Sequence, residues 1–242
     1  MLAYPPSSQD QAYQQRFAPL GLLDKDPPYA DCPAELTRAL TAGAQAAKQQ
    51  METALKQGGT MGPVVNGWTL TFHLFDYNLD YLGLGTIDDP AWKIADRQGS
   101  YLARALAARA GLWGNHGYEA AYPMTFVDAD GDQLDGHHRY VLRFDQDPPV
   151  DAFWSITMYD LPDFYLVANP INRYSIGDRT PGLRHDSDGS LTIVIQHEQP
   201  ADTSNWPPAP AAPFRPIMRL CQPQDAILDG TCHTPPITNA AS

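Results

Sequence analysis

The grain of the second half of this chain restricts its fold more than any other feature. After Gly117, short runs rich in β-branched and aromatic residues alternate with clusters of Asp, Gly, Asn and Pro, and few helix-length intervals separate them. Residues 121–127, 139–145, 153–159, 191–197 and 214–220 read as strands. Parallel neighbours need crossovers of a dozen or more residues, usually helical, so strands joined without them pair antiparallel. The expected fold is mainly β within the α+β class: an antiparallel β-sandwich, jelly-roll-like, with two N-terminal helices packed on it.

The two helices precede this region. In residues 33–57, Leu36, Leu40, Ala44, Ala47, Met51 and Leu55 recur at three- and four-residue steps, Pro33 suits a first turn, and Gly58-Gly59 supplies the stop. A second helix is expected from about residue 91 to 110, opened by Asp88, Asp89 and Pro90 and closed by Gly111. Between them, Trp68, Leu70, Phe72 and Leu74 alternate with polar residues, as a strand or a short helix would. Residues 1–32 form a linker-like lead whose prolines and polar side chains bury too little surface to fold alone, which leaves residues 33–242 as a single domain. The proline-rich stretch 200–213 reads as a stiff extended loop anchored by Trp206.

Charge excludes one class of partner. Sixteen basic against twenty-eight acidic residues give a net charge of -12, which repels phosphate backbones and anionic lipid headgroups, so neither nucleic acid nor a membrane surface is expected. No apolar run approaches the roughly 20 residues that span a bilayer, and residues 1–16 are too polar for a signal peptide. The expectation is a soluble chain, cytoplasmic by default and periplasmic or secreted if a leader has been removed. Three cysteines make no disulfide framework, although Cys221 and Cys232 stand close enough in sequence to close a short loop.

A set of ordered motifs then carries a resemblance. Phe153-Trp154-Ser155-Ile156-Thr157-Met158-Tyr159-Asp160, Asn172-Arg173-Tyr174-Ser175-Ile176-Gly177, Asp188-Gly189-Ser190-Leu191-Thr192 and Asn205-Trp206-Pro207-Pro208-Ala209-Pro210 follow one another, preceded by Asp128, Asp130, Gly131, Leu134, Gly136 and Tyr140 and by Tyr101-Leu102-Ala103-Arg104-Ala105. In order and spacing, residues 66–237 or so resemble the uncharacterised family "domain of unknown function 1214". The resemblance implies a β-sandwich and no established reaction. It also implies a companion, since members often carry domain of unknown function 1254 ahead of this one; a companion domain or a second copy of the chain is therefore an expected partner.

Candidate chemistry lies on these motifs. A period of two places Trp154, Ile156 and Met158 on one face and Phe153, Ser155, Thr157 and Tyr159 on the other, where hydroxyls and rings suit a small neutral or sugar-like ligand, or simply pair across strands. Arg173 offers a planar fork for a carboxylate or phosphate, or for an internal acid. Arg104 and Glu119 carry the same ambiguity, and Glu119 is the first choice for a proton donor or acceptor. Asp128-Ala129-Asp130-Gly131-Asp132 resembles the start of a calcium loop, but the twelfth loop position is Arg139 where a bidentate Glu is required, so a hairpin turn is the better account. The histidines share no metal-ligand spacing, and no glycine-rich phosphate cradle or dinucleotide fingerprint occurs, so neither a metal nor a nucleotide cofactor is expected.

Three uses follow. The first is a hydrolase or lyase acting on a small neutral or sugar-like compound, with Glu119, Tyr159 and Arg173 as catalytic residues and Ser155 and Arg104 assisting in binding. The second is a non-catalytic ligand-binding module built on Trp154, Tyr174 and Trp206. The third is a structural domain that packs on its companion.

Overall fold

A computed structural model describes residues 8–21, 24–25, 32–57, 62–73, 75–76, 87–110 and 114–240. The chain falls into two compact units, one comprising Met1–Thr60 and His73–Leu112, the other Met61–Phe72 and Trp113–Ser242.

The first unit is helical, with α1 (Gln11–Gln15), α2 (Ala34–Gln57) and α3 (Arg97–Ala110). The apolar period of α2 yields the expected helix, and Pro33 opens it by accepting the Thr37 N–H at 2.9 Å. Its stop at Gly58-Gly59 and that of α3 at Gly111 lie outside the described residues. The start of the second helix differs from expectation. Asp89 does cap, its Oδ1 accepting the Ala91 N–H at 2.8 Å, but the cap serves a single 3-10 turn, Pro90–Trp92. Lys93 then turns extended (φ -106°, ψ 150°), and α3 begins only at Arg97, where Asp96 Oδ1 accepts the Gly99 N–H at 3.0 Å. The lead is held to α3: the rings of Tyr13 and Tyr101 stack at 4.0 Å, and Asp10 accepts from Tyr101 Oη at 2.8 Å and pairs with Arg97 at 3.2 Å.

Among its described residues the second unit holds nine strands: β1 (Val64–Val65), β2 (Trp68–Thr69), β3 (Ala120–Ala121), β4 (Tyr140–Phe144), β5 (Val150–Asp160), β6 (Ser175–Gly177), β7 (Leu191–Ile195), β8 (Phe214–Pro223) and β9 (Ile237–Asn239). One sheet runs β3-β8-β5-β6 and another β7-β4-β9, while β1 and β2 form a hairpin; every ladder is antiparallel. Few helices accompany them, so the class is α+β with antiparallel sheets, as expected. The strand expected at 121–127 is cut to β3 because Pro123 has no N–H to continue the ladder, and Met124 instead makes isolated bridges to Thr69 and Ile217. Through residue 73 the expected alternation holds as strand only over β2, and Leu74 lies outside the described residues.

Alternation decides which side chains are buried. Trp154, Ile156 and Met158 of β5 join Tyr140, Leu142 and Phe144 of β4, Leu191, Ile193 and Ile195 of β7, Phe214, Met218 and Leu220 of β8 and Ile237 of β9 in one apolar cluster. Phe153, Ser155, Thr157 and Tyr159 stay half-buried on the opposite face. The proline-rich loop is anchored as expected: Trp206 is fully buried and its Nε1 donates to the Gln196 carbonyl at 2.9 Å. Among the described residues, no helix is long and apolar enough to cross a membrane.

Candidate functional site

The second unit contains an apolar pocket of about 550 Å³, a size that accommodates a small molecule. A hairpin builds one wall. Asn66 (φ 53°) and Gly67 (φ 81°) adopt the left-handed conformations that a two-residue turn between β1 and β2 demands. That turn directs Val65, Trp68, Leu70 and Phe72 into the lining. Trp68 is fixed there by its Nε1–H, which donates to the Pro235 carbonyl at 2.8 Å, and Asn66 Nδ2 donates to the Thr234 carbonyl at 3.0 Å. The floor is Met218 and Leu220 of β8 with Phe144 at the end of β4, and the far wall is Ile227 of the short helix α4 (Asp225–Leu228) with Cys232 and Pro235. Burial pushes the Cys232 thiol up, so it stays protonated at neutral pH and contributes an apolar surface.

The mouth is polar and internally paired. Arg143 reaches Asp188 at 2.9 Å and Asp186 at 3.3 Å, with Asp145 at 3.6 Å from its Nε. His185 pairs with Asp147 at 3.0 Å. Asp188 accepts from the Ser190 hydroxyl and N–H, and these bonds, with Arg143, hold its carboxyl down to about 2. Gly189 (φ 85°) supplies the turn that brings Ser190 back over Asp188.

The residues singled out from the sequence take the following places. Glu119 is exposed before β3, its Oε2 accepting the His116 N–H at 3.3 Å. Tyr159 pairs across the ladder with Arg215, six positions along β5 from Phe153, which pairs with Cys221 next to the Glu119 end of β8. At about 3.3 Å per residue, some 20 Å of strand separates Glu119 from Tyr159. Arg173 is half-buried and its Nη1 donates to the carbonyls of Ser204 at 3.2 Å, Trp206 at 3.1 Å and Thr203. Its fork thus clasps the proline-rich loop. Tyr174 is exposed, and its carbonyl accepts the Met158 N–H at 3.3 Å, which brings Arg173 and Tyr174 beside Tyr159. Trp154 and Trp206 are both core residues, and Ser155 faces out of the sheet between Gly177 and Arg219. Arg104 belongs to the first unit, where its Nη1 donates to the Asp76 carbonyl at 3.3 Å. None of these eight residues lines the apolar pocket.

Other sequence features resolve into structure. Asp128 is buried and its Oδ1 accepts the N–H groups of Asp130 and Asp132, both at 3.0 Å, closing the turn between Val127 and Gln133 around Gly131 (φ 88°). Among the described residues, no three His, Cys, Asp or Glu side chains converge as metal ligands. The three cysteines are free. Cys221 lies on the opposite side of β8 from Leu220, and Cys232 lines the pocket with Leu220 and Met218. Arg215, missed in the sequence, is almost wholly buried, 4.0 Å from the Phe164 ring centroid, 5.6 Å from that of Phe126 and 5.7 Å from that of Tyr159. The pocket residues were missed as well, although Asn66-Gly67 between apolar pairs is the strongest short hairpin signal a sequence offers.

Residues 119–225 match the family described as "Protein of unknown function (DUF1214)", in agreement with the motif resemblance though over a shorter span. Across 97% of its length the chain is similar to the crystal structure of the VPA0106 protein from Vibrio parahaemolyticus, at 26% identity and a TM-score of 0.56, covering 53% of that chain. A crystal structure of an uncharacterised protein from Burkholderia cenocepacia matches at 14% identity and a TM-score of 0.37, over 96% of this chain and 50% of that one. The chain therefore spans about half the length of these solved structures. No curated protein matches it.

Proposed function

We propose that the second unit, whose residues 119–225 match the family of unknown function DUF1214, is a ligand-binding β-sandwich, of the jelly-roll-like kind, that takes a small and largely apolar neutral molecule. The observation that carries this reading is the apolar pocket of about 550 Å³ walled by Trp68, Phe72, Phe144 and Met218. Apolar walls supply affinity in proportion to the area they remove from water, at about 25 cal/mol per Å². The mouth adds selection: Arg143 is held by its own acids, and the surrounding Asp145, Asp147, Asp186 and Asp188 outnumber it, which disfavours an anionic ligand.

A hydrolase or lyase centred on Glu119, Tyr159 and Arg173 has less support, because the strand length between Glu119 and Tyr159 exceeds hydrogen-bond reach and Arg173 is committed to carbonyls. The binding reading is tested with the neutral fluorophore N-phenyl-1-naphthylamine. Saturable binding by the intact chain is expected, with a rise in melting temperature that tracks probe concentration. Val65→Trp, which fills the pocket from its half-buried wall, is expected to weaken binding at least tenfold while the melting curve stays cooperative. Equal binding by the filled variant sinks the assignment.

A further inference from the structure

The outer face of the four-stranded sheet carries side chains that the pocket does not use. Directly opposed residues of an antiparallel pair share a face. Phe153 stands opposite Cys221, Ser155 opposite Arg219 and Thr157 opposite Ile217, so these six residues form the surface of β5 and β8 away from the core. Ala121 pairs with Leu220, which sets Tyr122 beside Arg219, and the Arg219 guanidinium lies 5.9 Å from the Tyr122 ring centroid. A second guanidinium comes from the turn after β6: Arg179 lies 4.2 Å from the Phe153 ring centroid. Positions 153 and 155 are neighbours on one strand face, about 7 Å apart. An oxyanion held between two such arginines would accept N–H···O bonds of about 2.9 Å from each.

The state of these arginines separates them from Arg143, Arg173 and Arg184 of the same unit, although exposed Arg139, just before β4, likewise makes no side-chain hydrogen bond or ion pair among the described residues. Arg143 and Arg184 are bound to carboxylates, and Arg173 to carbonyls. Arg179 and Arg219 are exposed and, among the described residues, neither makes a hydrogen bond or an ion pair. Asp178, the nearest acid in sequence to Arg179, spends its Oδ1 on the Trp154 N–H at 3.1 Å. In a chain with twenty-eight acidic residues, two guanidiniums without an ion pair stand on one sheet face, with Asp178 and Glu119 the acids that act on its Cys221 and Tyr122. The rings beneath hold both guanidiniums in place, which lowers the entropy lost when a planar fork closes on an oxyanion.

We propose that this face is an oxyanion site, in which Arg179 and Arg219 grip the phosphate or carboxylate group of a small molecule above Ser155 and Cys221. It is separate from the apolar pocket, and the two assignments stand or fall independently. The Cys221 thiol reports on it: burial raises its pKa, both guanidiniums pull it down, and Asp178 pushes it up.

The experiment follows iodoacetamide labelling of Cys221 by peptide mapping in the intact chain, with inorganic phosphate or acetate added at ionic strength matched with chloride. Anion at about three times its Kd leaves roughly a quarter of the sites empty and slows labelling about fourfold. Protection by either anion that saturates and is lost in both Arg179→Gln and Arg219→Gln supports the site, and the anion that protects identifies the group. Labelling no slower than in chloride, or protection that persists in the double variant, overturns it. Cooperative melting of each variant guards against a loss caused by unfolding, and Cys232 labelling provides the internal control.

Discussion

The helix α2 and the strand β5 obey their periodicities equally well and reach opposite ends. In α2 the apolar stripe of Leu36, Leu40, Ala44, Ala47, Met51 and Leu55 leaves Ala44 and Ala47 exposed, and only Leu55, near the end that α3 joins through the Glu52–Arg109 pair at 3.0 Å, is buried. In β5 the stripe of Trp154, Ile156 and Met158 is buried throughout. Period places side chains on a common face, but burial depends on what the rest of the chain brings to that face. The strand shares one cluster with seven other strands; the helix, among the described residues, packs on α3 near one end.

Substitutions test this contrast directly. The largest difference is expected between Leu142→Ala, in the fully buried centre of β4, and Leu102→Ala, at an exposed position of α3. Urea denaturation followed by tryptophan fluorescence should show a loss of about 2–5 kcal/mol for the first and under about 0.5 kcal/mol for the second. Similar losses at both sites would erase the distinction between the units.

Two glycines sharpen it further. A Cβ on Gly136 would collide with the Pro210 carbonyl oxygen, whereas one on Gly43 in α2 would meet nothing within 4 Å. Gly136→Ala is expected to destabilise by about 3 kcal/mol through forced backbone displacement, and Gly43→Ala to stabilise by up to about 1 kcal/mol through reduced chain entropy. Native-state hydrogen exchange assigns each change to its unit.

The smallest effect concerns acid. A carboxyl held below its ordinary value stabilises the fold above that value, and the contribution vanishes as pH falls through the folded-state pKa. For Asp188, lowered from 3.8 to about 2, the window lies between those two values. The melting temperature should fall with pH across it, and Asp188→Asn should flatten the slope there. An unchanged slope would mean that the Ser190 and Arg143 bonds do not survive in solution.

What was legible in the sequence follows the same division. Four of the five expected strands recur within a few residues, because alternation and turn chemistry are local properties. β6 and β9 were not read: each has three residues, too few for a period, and each exists because a longer strand offers an edge. The helix start expected at Asp89 went instead to Asp96, since both carboxylates can cap and only the second is followed by an uninterrupted helix. Among the site candidates, residue type identified groups able to recognise ligands, but the partners that occupy them are nonlocal. The fork of Arg173 closes on residues 30 or more positions away. The pocket was illegible for the same reason, as its walls come from residues 63–72, 143–149, 218–235 and Pro123.

The β1–β2 hairpin turns this dispersal into a rule for handling the protein. Its residues enter the second unit before the chain departs for residues 73–112 and returns at 113. The span 119–225 that matches the family therefore excludes both Trp68 and the Pro235 carbonyl to which its indole donates. An excised fragment with those limits would lack one side of its own interior and expose Met218 and Leu220 to water. The heritable segment and the smallest autonomous folding body are different objects here, and a truncation meant to isolate this domain has to retain the outlying hairpin.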